Sequence, residues 1–341
     1  MISHDAPVRW AANAPSGALL AAALRDEVPP IREETLQVGT GYLSDVSGSL
    51  DLRRIWSLQG VALLKRFDDP LRYHTEVRNL RFFNAVARAH TPRLLACDDA
   101  AYALLIEEPS GSSLVEITEA SGALGTRMIW LRVLTALATV HARAARGTPL
   151  LRRCYAPYWP QVLAAPPVNL FERLLIATPG SPSLMALSAA ERGVLAGAGA
   201  WLHDYLGAAT GSERAPMLGQ PGPEGIRVSH ERVIFADLSK PPLGIQAMDL
   251  ACTWQQPDRR ELIAEGYVAH SARLGRSFDA PTFWRTDACC RVGGCALQLL
   301  TSASSRLPGR QTALAAALCG AAGEVPELAP AGDLLGHLLL G

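Results

Sequence analysis

The feature that most narrows the choice of fold is a change of hydrophobic period. Up to about residue 108 the apolar residues alternate or run in short blocks, and from about residue 125 they recur every three to four positions. Residues 33–38, 51–58, 61–67, 92–97 and 102–108 read as strands, with tight turns at Gln59-Gly60 and Asp98-Asp99. A helix over 72–89 interrupts them. Residues 13–26 read as a leading helix, capped by Ser16 and ended by Pro29-Pro30.

In the second half, residues 126–145 place Met128, Leu131, Leu134, Leu137, Ala138 and His141 at helical spacing. Residues 150–215 read as mostly helical, broken by Pro166-Pro167 and by the Pro-Gly-Ser-Pro of 179–182. Residues 258–275 and 279–305 read as two further helices, and 306–341 as a helical tail. One block departs from this pattern: LGQPGPEGIRVSHERVIFADLSKPPLGIQAMDLA, residues 218–251. Ile226, Val228, Val233, Ile234 and Phe235 are strand formers around a polar turn at Ser229–Glu231, which predicts a hairpin. Its second strand delivers Asp237 to its C-terminal end, and Asp249 follows twelve residues later. A carboxylate at a strand end beside a Gly/Pro-rich loop is a common way to hold a metal-bound phosphate.

A second constellation lies in the meander. By period two, Val61, Leu63, Lys65 and Phe67 share one strand face. A lysine among apolar residues needs an anionic partner or must snorkel. On the next helix, Leu80 and Phe83 stand four and seven positions after Glu76, so Glu76 sits on or beside the apolar stripe. Lys65 and Glu76 can satisfy each other, and protein kinases use such a pair to hold nucleotide phosphates.

Composition excludes more than it assigns. The 341 residues suit one large domain or two lobes. The formal net charge is zero, which gives no bulk attraction to nucleic acid or to an anionic membrane surface. No apolar run reaches ~18 residues without charge, so no spanning helix is expected. Cys97, Cys154, Cys252, Cys289, Cys290, Cys295 and Cys319 are scattered, with no CxxC pair. They read as packed thiols in a reducing cytoplasm.

Taken together, these blocks resemble the aminoglycoside phosphotransferase/choline kinase-like superfamily. Its catalytic segment usually reads His-Gly-Asp-Leu-His-Pro-Gly-Asn, then a hairpin, Ile-Asp-Trp, and Asp-Leu-Ala. Here the corresponding text is Leu218 to Gly225, then Ala236-Asp237-Leu238, then Asp249-Leu250-Ala251. Gly219 and Pro223 match. Leu218 replaces the histidine, Gln220 the catalytic aspartate, and Gly225 the metal-binding asparagine. Pro109 to Leu114 resembles the family's linker after its fifth strand, and Leu137 to His141 resembles its Leu-Ala-x-Leu-His, whose histidine is structural. The likeness spans roughly residues 20–305.

The resemblance implies an α+β, two-lobed protein-kinase-like fold. Residues 1–111 would form a nucleotide-binding-like lobe, with a five-stranded antiparallel sheet, one helix and the leading helix. Residues 112–341 would form a mainly helical lobe carrying the 218–251 segment. It implies ATP and magnesium as cofactors. Lys65, Glu76, Ser44 and Glu107 would serve the nucleotide, with 106–109 as the hinge whose backbone binds adenine. Ser44 belongs to a glycine turn, Gly41-Tyr42-Leu43-Ser44-Asp45, where aspartate stands in place of the family's asparagine. Asp237 would hold the metal, with Glu224 a possible substitute for the missing ligand. Gln220 occupies the catalytic position.

Glutamine is neutral and accepts no proton, although it can orient a hydroxyl. The sequence therefore predicts a degenerate, pseudokinase-type protein that binds a nucleotide or metabolite and regulates or scaffolds. The alternative is an active ATP-dependent phosphotransferase acting on a small-molecule hydroxyl, favoured by the retained Lys65, Glu76 and Asp237. A third class, an α-helical hydrolase, has His141, His203 and several serines to draw on but no Gly-x-Ser-x-Gly elbow. Expected partners are a nucleotide and a small molecule or protein, with no nucleic acid and no membrane.

Overall fold

The computed structural model describes residues 32–36, 51–57, 60–178, 184–212, 214–254, 256–302 and 308–340. The leading helix expected over 13–26 and the turn carrying Ser44 lie outside these residues. The chain divides into two compact units, one drawn from Met1–Pro160 and Pro221–Pro242, the other from Gln161–Gln220 and Leu243–Gly341.

The first unit is built on an antiparallel sheet of β1 (Arg32–Leu36), β2 (Asp51–Ser57), β3 (Gly60–Arg66), β4 (Leu94–Asp98) and β5 (Ala103–Glu107), in the order β1-β2-β3-β5-β4. Alternation buries both faces of β3. Leu64 joins Ile55, Ala96, Ala103 and Leu105 in one cluster, while Leu63, Lys65 and Phe67 are buried on the other face. Helix α1 (Pro70–Ala87) starts where Asp69 accepts the Leu71 N–H at 2.8 Å and Pro70 fixes the first turn. Its apolar stripe of Tyr73, Val77, Leu80 and Phe83 is buried, and Glu76 is buried within that stripe. Asn84, near its end, accepts the Leu94 N–H and donates to the Pro92 carbonyl, which fixes the entry into β4.

Short strand β6 (Ser112–Ser113) leads into α2 (Leu114–Glu119), which opens with a capping box between Ser113 and Glu116. Before it, Gly111 has φ +101° and runs against the backbone of Val228, where a Cβ would meet a carbonyl oxygen at 2.4 Å. β6 pairs with Ile226–Val228, which pairs in turn with Val233–Phe235. The expected hairpin is therefore present, with Val228 opposite Val233 and the Ser229 N–H closing on the Arg232 carbonyl at 3.0 Å. Helix α3 (Ala123–Arg146) is long and apolar enough by composition alone to cross a bilayer. Its Ile129, Trp130, Val133, Leu134, Leu137, Val140 and His141 are buried in the folded chain, so this apolar length serves as core. Helix α4 (Thr148–Tyr155) follows.

In the second unit Ala215–Pro216 pairs antiparallel with Leu243–Gly244. The helices Leu170–Ala177, Ala189–Ser212, Ala280–Ser302, Pro308–Gly323 and Ala329–Leu340 surround a core that includes Trp254. Gly294 admits the Trp254 indole, which would lie 1.7 Å from any Cβ there. Arg259 spans both oxygens of buried Asp287 at 2.7 Å. Two details differ from the sequence expectation. Residues 156–169, with four prolines, contain no helix, because proline removes the donors a helix needs. The single helix expected over 258–275 runs as α over Arg259–Leu262, π over Ile263–Val268 and α over Ala269–Arg273.

Candidate functional site

Lys65 on β3 and Glu76 on α1 meet at 2.5 Å, Nζ to Oε1, with both side chains almost wholly buried. Each element supplies its charge from an apolar face, so neither group has water as an alternative partner, and the pair satisfies both. Burial pushes the Glu76 carboxyl above its ordinary value. Lys65 opposes that shift, and nearby Asp237 reinforces it.

Asp237 leaves the hairpin just past Phe235. Its Oδ1 accepts both the Ser239 hydroxyl at 2.7 Å and the Ser239 N–H at 3.0 Å, which folds the chain into a tight turn. Burial acts to raise its pKa, but the attractions of Lys240 and Lys65 and the Ser239 hydrogen bonds outweigh it and hold the carboxyl below its ordinary value. The turn is tied back to α1. Asn79, one turn after Glu76, donates to the Leu238 carbonyl at 2.7 Å and to the Lys240 carbonyl at 2.8 Å. The Tyr155 hydroxyl of α4 holds the Asn79 oxygen at 2.6 Å. Fully buried Asn79 thus fixes the Asp237 turn to the helix that carries Glu76.

Gly225 lies beside Asp237. Its carbonyl accepts the Ala236 N–H at 2.8 Å, and a Cβ added to it would meet the Asp237 Cβ at 3.5 Å, an ordinary contact. Glu224 precedes it on the single 3₁₀ turn Pro223–Gly225 and is half-buried. Among the described residues no group of three His, Cys, Asp or Glu converges as a metal site. Asp237 offers one carboxylate whose Oδ1 already accepts two donors, with two lysines acting on it. Magnesium favours several oxygen ligands in near-octahedral array, so this donor set fits it poorly.

The Gln220 loop belongs to the second unit. Asp249, fully buried, accepts three backbone N–H groups: Leu218 at 2.6 Å, Gly219 at 2.9 Å and Gln220 at 2.6 Å. Gly219 has φ +88° and Gln220 φ +61°. Two successive left-handed residues turn their N–H groups onto one carboxylate. The Gln220 amide also reaches the Met248 sulfur at 3.5 Å.

At the hinge, the Glu107 N–H is bonded to the Arg93 carbonyl at 2.9 Å and the Glu108 N–H to the Val61 carbonyl at 3.3 Å, while Pro109 has no N–H. The Glu107 carboxylate accepts from Arg232 at 3.0 Å, and that of Glu108 from Arg54 at 2.8 Å. These bonds extend the sheet and pin the hinge to its neighbours.

The structure therefore brings Lys65, Glu76 and Asp237 together and sets Gly225 beside Asp237. Sequence reasoning missed Asn79, Ser239, Lys240 and Tyr155, and did not assign Asp249 its three loop contacts. Asn79 carried a signal, since it follows Glu76 by three positions on the same buried helix face. Tyr155 carried none. Phe171 is buried in the core, Trp159 is exposed beneath Arg152, and Trp201 stacks on Tyr205 at 5.1 Å.

No protein-family profile matches the chain, and no curated protein sequence does. Solved structures do. APH(2")-IIia, in its complex with GDP and kanamycin, is 10% identical, with a TM-score of 0.55 over 90% of this chain and 98% of that one. The macrolide 2'-phosphotransferase of Brachybacterium faecium is 16% identical, with a TM-score of 0.53 over 89% and 97%. The choline kinase of Streptococcus pneumoniae is 11% identical, with a TM-score of 0.50 over 88% and 96%. The fold is that of these aminoglycoside and macrolide phosphotransferases and choline kinase, mixed helix and antiparallel sheet. Identities this low establish the fold and leave the activity to the site itself.

Proposed function

We propose that this chain is a pseudokinase-type member of that fold, which binds a nucleotide or a similarly phosphorylated metabolite and works in regulation or scaffolding. The observation that supports the reading lies in the first unit, which keeps a buried Lys65–Glu76 pair with Asp237 nearby. In the sequence, Gln220 stands where the family has its catalytic aspartate and Gly225 where it has its metal-binding asparagine. ATP would be held by Lys65 and Asp237, with Ser44 as the sequence assigns it; the hinge near Glu107 would contribute carbonyl oxygens, since the Glu107 and Glu108 N–H groups are engaged and Pro109 has none. The sequence assigns magnesium to Asp237 with Glu224 as a second oxygen donor, but Asp237 Oδ1 already accepts two donors, so magnesium is expected to add little to the affinity. A cytoplasmic setting suits such a protein.

Loss of a general base costs roughly 10²–10⁴-fold in rate, and phosphoryl transfer also relies on positioning and charge neutralisation. Turnover is therefore expected to be very slow or absent. The second reading, an active phosphotransferase on a small-molecule hydroxyl, is favoured by one observation. Asp249 holds the Leu218–Gln220 backbone in a defined loop, which is what a catalytic loop at this position would need.

Titration with ATP, with and without magnesium, tests binding. Restoration by Gln220→Asp with Gly225→Asn tests chemistry. Aspartate and asparagine tolerate the left-handed backbone of position 220 better than most residues, and the open contact at Gly225 admits a Cβ. ATP turnover is expected to rise by at least about tenfold, a part of the roughly 10²–10⁴-fold that a fully recovered base supplies. Brisk wild-type phosphorylation that stops on Asp237→Ala and ignores Glu224→Ala would overturn the pseudokinase reading in favour of the second.

A further inference from the structure

We propose that the second unit carries a ligand site of its own, a cavity of about 330 Å³ beside Arg276 that takes a small aromatic monocarboxylate. Every residue that lines it lies in that unit, so the site stands whether or not the chain binds a nucleotide.

Arg276 is held in place by its own surroundings. The helix Ala269–Arg273 ends at Leu274, and Gly275 follows at φ +79°, a conformation that suits a residue without a Cβ. The Gly275 N–H then donates to the Ala272 carbonyl and the Arg276 N–H to the Ser271 carbonyl, each at 3.0 Å. This pair of bonds is the Schellman stop of a helix, and it fixes the Arg276 backbone. The side chain is fixed in turn. Its Nη2 donates to Gln246 Oε1 at 2.5 Å, and Gln246 Nε2 donates to the Pro216 carbonyl at 2.7 Å. The guanidinium lies 5.3 Å from the centre of the Phe278 ring and beside the Tyr267 hydroxyl. Among the described residues these partners are all neutral, and Arg276 Nη1 is buried with no acceptor. A half-buried cation held only by neutral groups is completed by an anion.

The rest of the wall is flat and apolar. Tyr267, Phe278 and Phe283 have ring centres 5.0 to 6.2 Å apart. Tyr267 comes from the π segment Ile263–Val268, an irregularity that recurs at functional sites. The cavity volume falls at the lower end of the roughly 300–1,000 Å³ of ligand pockets, which suits a small guest. A planar carboxylate matches the guanidinium fork, and a planar body matches the rings. Asp279 adds a carboxylate at the exposed rim, where it accepts the Thr282 N–H at 3.0 Å. One cation in the wall and one anion at the rim favour a singly charged guest over a dianion such as phosphate.

The test is ligand-observed fluorine NMR of the full chain with para-fluorobenzoate and with its neutral isostere para-fluorobenzamide. Wild type is expected to bind the benzoate with a Kd of about 1 mM or tighter, and the benzamide at least about tenfold more weakly. Arg276→Gln should weaken benzoate binding by about tenfold and leave the benzamide unchanged. Arg276→Lys should lose about fivefold, because an ammonium lacks the planar fork. Cyclohexanecarboxylate, equally charged but not flat, should displace the probe at least about threefold less well than unlabelled benzoate. Inorganic phosphate at about 10 mM should not displace it. Thermal melts separate loss of binding from loss of fold, and the comparison of benzoate with benzamide on wild type needs no variant. Equal binding of the two probes, an unchanged affinity of a folded Arg276→Gln, or no benzoate binding up to about 10 mM overturns the site. Displacement by phosphate overturns the carboxylate assignment, and equal competition by cyclohexanecarboxylate overturns the aromatic one.

Discussion

At the residue scale the Gln220 loop shows how a side chain can be replaced while its backbone setting is kept. Two left-handed residues in succession cost conformational energy, about 1–2 kcal/mol for each one bearing a Cβ, and the three N–H bonds to Asp249 offset it. Asp249 thus acts on position 220 through the main chain, whatever side chain stands there. Asp249→Ala would leave two buried N–H groups, those of Leu218 and Gly219, and the partly buried Gln220 N–H without this acceptor, each buried one worth about 1–3 kcal/mol. The expected outcome is a loss of at least about 2 kcal/mol, read as a lowered denaturant midpoint. Asp249→Asn keeps one acceptor oxygen and should lose less. Equal stability of Asp249→Ala and wild type would mean that the loop does not depend on this carboxylate.

At the scale of elements, β3 and α1 are joined by charge inside an otherwise apolar interface. Breaking one side of a buried pair strands the other charge and typically costs about 3–5 kcal/mol, whereas replacing both members by apolar groups is often nearly neutral. Glu76→Leu alone is therefore expected to destabilise severely. Lys65→Met combined with Glu76→Leu should recover most of the stability while abolishing nucleotide binding, and a double-mutant cycle by urea unfolding checks both parts. Much of this was legible in the sequence. Period two placed Lys65 among Leu63 and Phe67, helical spacing placed Glu76 above Leu80 and Phe83, and Val228 and Val233 flanked a polar turn. The sequence could not show that Asn79 would reach across to the Leu238 and Lys240 carbonyls, because such contacts depend on where backbone oxygens point. The same limit hid the hinge, whose Glu107 and Glu108 N–H groups are engaged within the sheet. The π segment at Ile263–Val268 was hidden for a related reason, since hydrophobic spacing barely distinguishes it from α-helix.

For the whole molecule, thiols give a probe of folding that is independent of the site. Burial pushes Cys252, Cys289 and Cys295 each up to about 12, and Cys290 is also raised. Cys97, Cys154 and Cys319 are only half-buried. Iodoacetamide at neutral pH is expected to label these three alone in the native protein and all seven cysteines after unfolding. A raised thiol pKa means that the folded chain holds protons that the unfolded chain releases. The resulting stability is complete below the ordinary thiol pKa of about 9 and is lost as pH rises toward about 12. Melting temperature should therefore fall across that alkaline window, and Cys289→Ala with Cys295→Ala should flatten the fall.

The pairing of β6 with Ile226–Val228 also sets a schedule for synthesis. Ser112 and Ser113 leave the ribosome more than a hundred residues before their strand partner exists. At ~5–20 residues per second the wait is roughly ten seconds. During that interval Lys65 and Glu76 can already pair, while the turn bearing Asp237 and Lys240 has yet to be translated. The nascent chain therefore carries the Lys65–Glu76 pair while Asp237, whose charge acts on both, is still encoded in the message. Nascent chains stalled before residue 226 should remain protease-sensitive around Gly111, and those released beyond residue 242 should not.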